Sequence, residues 1–106
     1  MIRIRFGKDD DRLALRICGH AGYAAPGQDI VCAAVSMLAQ SFSLAAGSAP
    51  GAAACTRAAS GQLTVTCADT PETRAMLRMC RVGFRALEAA YGQWVQVEDG
   101  QQEPGI

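Results

Sequence analysis

Residues 12–40 read RLALRICGHAGYAAPGQDIVCAAVSMLAQ, and the spacing of the apolar positions changes within them. Up to Cys18 the period is two: Leu13, Leu15 and Ile17 alternate with Arg12, Ala14 and Arg16, as in a half-buried strand. From Asp29 no proline or glycine interrupts the chain until Gly47, which predicts a helix over 29–46 with Asp29 as its N-cap. Between them runs a glycine-rich loop. It begins just past the strand end with the single histidine of the chain, His20, and it delivers Cys32 into the first turn of the helix. This junction therefore decides the fold class and the chemistry together.

Upstream, MIRIRF (1–6) alternates as well, with Ile2, Ile4 and Phe6 on one face, and GKDDD (7–11) reads as the turn of a hairpin. Downstream, GSAPG (47–51) is a loop, and AACTRAA (53–59) with QLTVTC (62–67) forms a second hairpin turned at Ser60 and Gly61. A second helix starts with Thr70 as N-cap, Pro71 in the first helical position and Thr73 at N3. It runs to about Tyr91, where Gly92 stops it. QWVQVE (93–98) is a final short strand, and the segment 100–106 is a flexible tail. The order β-β-α-β-β-α, with a last β, predicts an α+β fold in one domain over 1–99. Its antiparallel sheet of about four strands carries two helices on one face.

The composition narrows the function classes. A chain of 106 residues with half of them apolar folds as one domain. Ten basic and ten acidic residues cancel, so no global field recruits nucleic acid. Five cysteines, an odd number with no C-x-x-C pair, argue against a disulfide framework, and one histidine cannot complete a zinc set. No metal and no cofactor is expected. The N-terminus lacks an apolar signal region, and Ser36, Gln40, Ser41 and Ser43 make the run 30–46 too polar and short for a membrane span. The expected location is the cytosol.

At about 100° per residue, Ile30, Val31, Ala34, Val35, Leu38, Phe42 and Ala45 share one arc of the first helix. Cys32 falls opposite, with Ser36, Ala39 and Ser43, where a structural cysteine is not expected. The unpaired amides and positive dipole end of a helix start favour a thiolate, the nucleophilic form. The Cys32 N–H and a neighbouring amide are candidates to receive an oxyanion. His20 is the candidate general base and acid. A loop histidine and a core cysteine that merely share a neighbourhood stay open as the alternative. In the second helix Leu77, Cys80, Phe84, Leu87 and Tyr91 read as core. Arg74, Arg78, Arg81 and Arg85 form a separate face, either solvated or turned to RNA or an acidic protein surface.

GHAGYA (19–24) followed by DIVCAAVSMLAQ (29–40), with eleven residues between histidine and cysteine, resembles the ribosomal-processing cysteine protease family Prp. The likeness is close over 19–40 and one of layout elsewhere. It implies a cofactor-free endopeptidase with His20 and Cys32 as the catalytic dyad and Gly19, Asp29 and Ser36 in support. The loop with Gly22, Tyr23 and Gly27 would order around the substrate. Such proteins form homodimers and remove a short N-terminal extension from a large-subunit ribosomal protein, exposing its mature end for the peptidyl-transferase region. Contact with nucleic acid is not required. Here AAPGQ (24–28) departs from the pattern, because Pro26 stiffens the loop.

Several roles stay open at this level. Asp29 caps the helix or polarises His20, Ser36 lines the groove or faces solvent, and Tyr23 meets substrate or packs on the fold. Two other functions compete: a non-catalytic ribosome-associated binding module using the arginine face, and a cysteine acyltransferase or thioesterase.

Overall fold

The computed structural model describes residues 1–99, so the expected tail over 100–106 lies outside the described residues. Strand β1 (Ile2–Asp9) and strand β2 (Arg12–Cys18) form the first hairpin, turned by Asp10 at φ 58°. Helix α1 (Ile30–Ser48) follows, then β3 (Cys55–Ala59), β4 (Gln62–Ala68), helix α2 (Pro71–Tyr91) and β5 (Val95–Asp99). The sheet order is β3-β4-β2-β1-β5. The first four strands pair antiparallel as expected, but β5 lies parallel to β1, which makes the sheet five-stranded and mixed.

Connectivity explains the layering. Both β2–α1–β3 and β4–α2–β5 join parallel strands across at least one intervening strand. They travel in opposite directions along the sheet from strands of opposite sense. Right-handed crossovers, the near-universal hand, then put both helices on the same face. Leu38 of α1 packs against Gly83 of α2, where an added Cβ would sit 3.0 Å from its Cδ1.

The core lies between that face and the helices. Ile2, Ile4, Phe6, Leu13, Leu15, Ile17, Val65 and Cys67 supply the sheet side, and Phe6 meets Phe84 of α2 at a 6.0 Å ring separation. On α2, Leu77, Cys80 and Phe84 are buried as expected, while Leu87 and Tyr91 are half-buried at the margin. Thr70 and Thr73 form a reciprocal capping box, and the buried Thr73 hydroxyl also donates to the Ala68 carbonyl at 2.7 Å. The Arg74 guanidinium grips Asp69 through two bonds of 2.6 and 2.8 Å, and Lys8 adds a third contact at 2.9 Å. Together, Arg74 first, they hold the Asp69 carboxyl far below its ordinary value. At the sheet edge, Glu88 accepts the outward N–H of Val97 at 2.8 Å.

The buried face of α1 differs from the expectation. Val31, Val35, Ala39, Phe42 and Ala46 are buried, whereas Ile30 is 54% exposed. Ala39, assigned to the polar side, is thus core. The reason is that this helix is apolar nearly all round, so its periodicity does not fix the buried arc. Its small Ala39 and Ala46 suit a helix lying close to the sheet. The helix also continues through Gly47 to Ser48, and by length and composition alone its 19 residues would suffice to cross a membrane, contrary to the expectation. Here its buried stripe belongs to the core.

Candidate active site

The β2 end is fixed by backbone. Gly19 has φ 93°, and an added Cβ would lie 2.3 Å from the Met1 carbonyl oxygen, so only glycine fits. Its N–H donates to the Gly61 carbonyl at 2.8 Å, and the Met1 ammonium donates to the His20 carbonyl at 2.6 Å. These bonds hold the backbone of an otherwise exposed histidine. The imidazole lies over the turn between β3 and β4: a Cβ at Gly61 would come within 2.8 Å of His20 Nε2. Gly61 read in the sequence only as a turn residue, and its second duty comes from the β2–β4 pairing.

Asp29 is the N-cap of α1, as expected. Its Oδ1 accepts the Cys32 N–H at 2.9 Å, and its Oδ2 accepts the amides of Tyr23 at 3.1 Å and Ala24 at 3.5 Å. One carboxylate therefore ties the loop to the helix start. The Cys32 amide is the chief cause of the lowered Asp29 carboxyl pKa. Burial opposes it, and the Ala24 and Tyr23 amides and the Cys32 thiol add to it. This corrects one expectation. The Cys32 N–H is already donated to Asp29, and the Ala33 N–H goes to the Asp29 carbonyl at 3.0 Å. The first-turn amides left without an acceptor among the described residues are those of Ile30 and Val31.

Cys32 is half-buried in the third position of α1. It stands where two concavities adjoin. One, of about 660 Å³, opens beneath the loop and reaches Gly22, Pro26, Gly27 and Asp29. The other, of about 480 Å³, runs between α1 and the β3–β4 hairpin and reaches Ala39, Gln40, Ala58 and Gly61. His20, Cys32 and Ser36 line both. The imidazole and thiol make no direct hydrogen bond with each other among the described residues. Ser36 accepts from the Gln40 side chain at 2.7 Å, and Gln40, to which the sequence assigned no role in the site, lines the groove wall.

Tyr23 stands apart from these walls. Its ring meets Trp94 edge-on at 4.9 Å and Tyr91 at 5.7 Å, so it packs the loop against the end of α2. Gly22 at φ 71° and Gly27 at φ 86° turn the loop on either side of it. The arginine face of α2 is largely engaged. Arg74 holds Asp69, Arg85 bonds Glu88 at 3.0 Å, and Arg81 is not free either. Among the described residues, no three of His, Cys, Asp and Glu gather as a metal set.

The family model described as Cysteine protease Prp matches residues 1–96. The fold is similar to that of an essential ribosomal processing protease Prp from S. aureus in complex with a covalently linked product peptide. The TM-score is 0.83 at 20% identity, over 94% of this chain and 100% of that one. The same S. aureus protease in complex with a substrate peptide gives 0.77 at 19% identity, over 94% and 100%. SMU.848 from Streptococcus mutans gives 0.72 at 22% identity, over 93% of each chain. No curated protein matches the chain at a significant level.

Proposed function

Because the chain belongs to the cysteine protease Prp family, we propose that it cuts a short N-terminal extension from a large-subunit ribosomal protein with Cys32 as nucleophile and His20 as acid and base. The observation that carries this is the pair of concavities meeting at His20 and Cys32. A peptide bond set there has room for chain on both sides. The edge strand β3 is exposed throughout and its Thr56, Ala58 and Ala59 flank one concavity, so an extended substrate can add alongside it.

In this mechanism His20 takes the thiol proton and the Cys32 sulfur attacks the scissile carbonyl. The oxyanion faces first-turn amides that Asp29 leaves unclaimed. His20 then gives its proton to the departing amine, leaving a thioester on Cys32. The amine that departs is the new N-terminus of the shortened protein. Water, deprotonated by His20, then attacks the thioester and releases the extension as a carboxylic acid, and His20 returns the proton to the Cys32 sulfur. Asp29 acts as a positioning residue that fixes the loop to the helix. Gly22 and Gly27 shape the loop over the substrate, and Ser36 lines the groove. The protein works in the cytosol as a single domain over 1–99. A second copy covers the exposed Ile30, Met37 and Leu44 of α1 to form a homodimer.

The test is mass spectrometry of a ribosomal protein carrying the extension, incubated with the full chain. Cleavage at one bond is expected, lost by roughly a thousandfold or more in both Cys32→Ser and His20→Ala. Full processing by Cys32→Ser overturns the proposal. Turnover of small thioesters without peptide cleavage assigns the same dyad to a thioesterase instead.

A further inference from the structure

The two helices leave the other face of the sheet open, and it carries much of the positive charge of the chain. Strand alternation places Arg3 and Arg5 of β1, Arg12 and Arg16 of β2 and Arg57 of β3 on that face, opposite the buried Ile4, Leu15 and Val65. These are five of the ten basic residues. Register aligns three of them in one row: Arg5 pairs with Arg16, Arg16 with Thr64, and Thr64 with Arg57. Like charges directly opposite one another on neighbouring strands destabilise a sheet. Folding alone therefore does not favour Arg5 beside Arg16.

Local carboxylates only partly neutralise the row. Asp9 bonds Arg16, and Glu98 reaches Arg3 at 3.8 Å. Glu98 stands opposite Arg5 in the β1–β5 register but turns to Arg3, and among the described residues neither Arg5 nor Arg57 has a carboxylate within ion-pair distance. Arg16, Arg57, Thr64 and Thr66 wall a polar depression of about 420 Å³, with Cys55 and Asp9 at its sides. Two guanidinium forks and two hydroxyls converging on one depression suit a phosphate. Among the described residues, the strands of this face present no exposed aromatic or large aliphatic side chain, the anchors a protein partner would need. Without aromatics to stack bases, it suits backbone rather than sequence recognition.

We propose that this open sheet face binds the phosphate backbone of single-stranded RNA through Arg5, Arg16 and Arg57. The proposal is independent of the peptidase reading, since the row lies on the opposite side of the sheet from the groove. It also puts on a different surface the RNA contact that was one of the alternatives for the α2 arginines.

The experiment titrates a fluorescein-labelled oligouridine with the full chain and follows anisotropy from about 50 to 200 mM salt. Binding with Kd of about 1–100 µM at the low end is expected, falling steeply with salt. Arg5→Gln combined with Arg57→Gln is expected to weaken it at least tenfold. It should also flatten the log–log salt dependence by about 1.4, two contacts' worth. Peptide cleavage should stay unchanged, and the thermal midpoint should not fall, because the repulsion between Arg5 and Arg16 is relieved. Arg78→Gln on α2 should leave RNA binding intact. The proposal is overturned if RNA fails to bind at low salt, or if the double variant binds like the parent. It is equally overturned if a labelled polyglutamate peptide binds the parent as tightly as RNA, which would assign the face to an acidic protein.

Discussion

Two glycines do different work at the same histidine. Gly19 is required by backbone: its φ of 93° and the Met1 carbonyl oxygen lying where a Cβ would clash exclude any side chain. Gly19→Ala is expected to cost at least about 1–3 kcal/mol of stability, read as a lower urea midpoint. Gly61, at φ 68°, also meets the imidazole, so its Cβ would displace the ring. Gly61→Ala should therefore cost about 1–2 kcal/mol in stability but reduce the cleavage rate far more, by roughly tenfold or more, as a misplaced catalytic group does. A variant that loses stability yet cuts at the parental rate would free the ring from this turn. At this scale a strand end, a short loop and a helix start pointed in the sequence to His20 and Cys32 as neighbours, and both line the same concavities. It could not reveal Gly61, because the β2–β4 register that brings this turn to His20 is a long-range pairing.

The loop between β2 and α1 is anchored at both ends of its course, by Asp29 through amides and by Tyr23 through rings. Edge-on ring pairs contribute about 0.5–1.5 kcal/mol each, enough to hold a loop without fixing the whole fold. Tyr23→Ala should speed amide hydrogen exchange over 21–28 by about tenfold and leave exchange in the β1–β2 core unchanged, while Tyr23→Phe preserves both. If substrate contact were the role of this ring, Tyr23→Ala would raise KM with no change in loop exchange. The two helices show why some elements read easily. In α2, polar and apolar residues separate cleanly, and its capping residues state its start, so Leu77, Cys80 and Phe84 were identifiable as core. In α1, alanine, leucine and methionine occur on several faces. The buried arc is set by the sheet beneath it, and Ala39 and Ile30 exchange their expected places.

Across the whole molecule, the local alternation that defined the first hairpin could not say where a five-residue strand after α2 would pair. Only the crossover over β2 and β1 brings β5 parallel to β1. The same long-range packing sets how stability depends on pH. Arg74 and Lys8 keep Asp69 ionised in the folded state below the pH at which an unfolded chain would protonate it. That contribution is complete above the ordinary carboxyl value of 3.8 and is lost as pH falls below it. Burial raises the thiol pKa of Cys67 and of Cys80 above the ordinary 9.0. The unfolded chain then releases thiol protons first, so stability is complete below about pH 9 and declines as pH rises beyond it. Urea midpoints are therefore expected to form a plateau bounded by an acid limb and an alkaline limb. Asp69→Asn should lower the plateau and flatten the acid limb, because no proton is left to bind there. Cys67→Val, close in size and unable to ionise, should flatten the alkaline limb and leave the acid one as it is. Parallel profiles for Asp69→Asn and the parent below pH 4 would separate acid sensitivity from the Asp69 cluster and transfer it to another carboxylate.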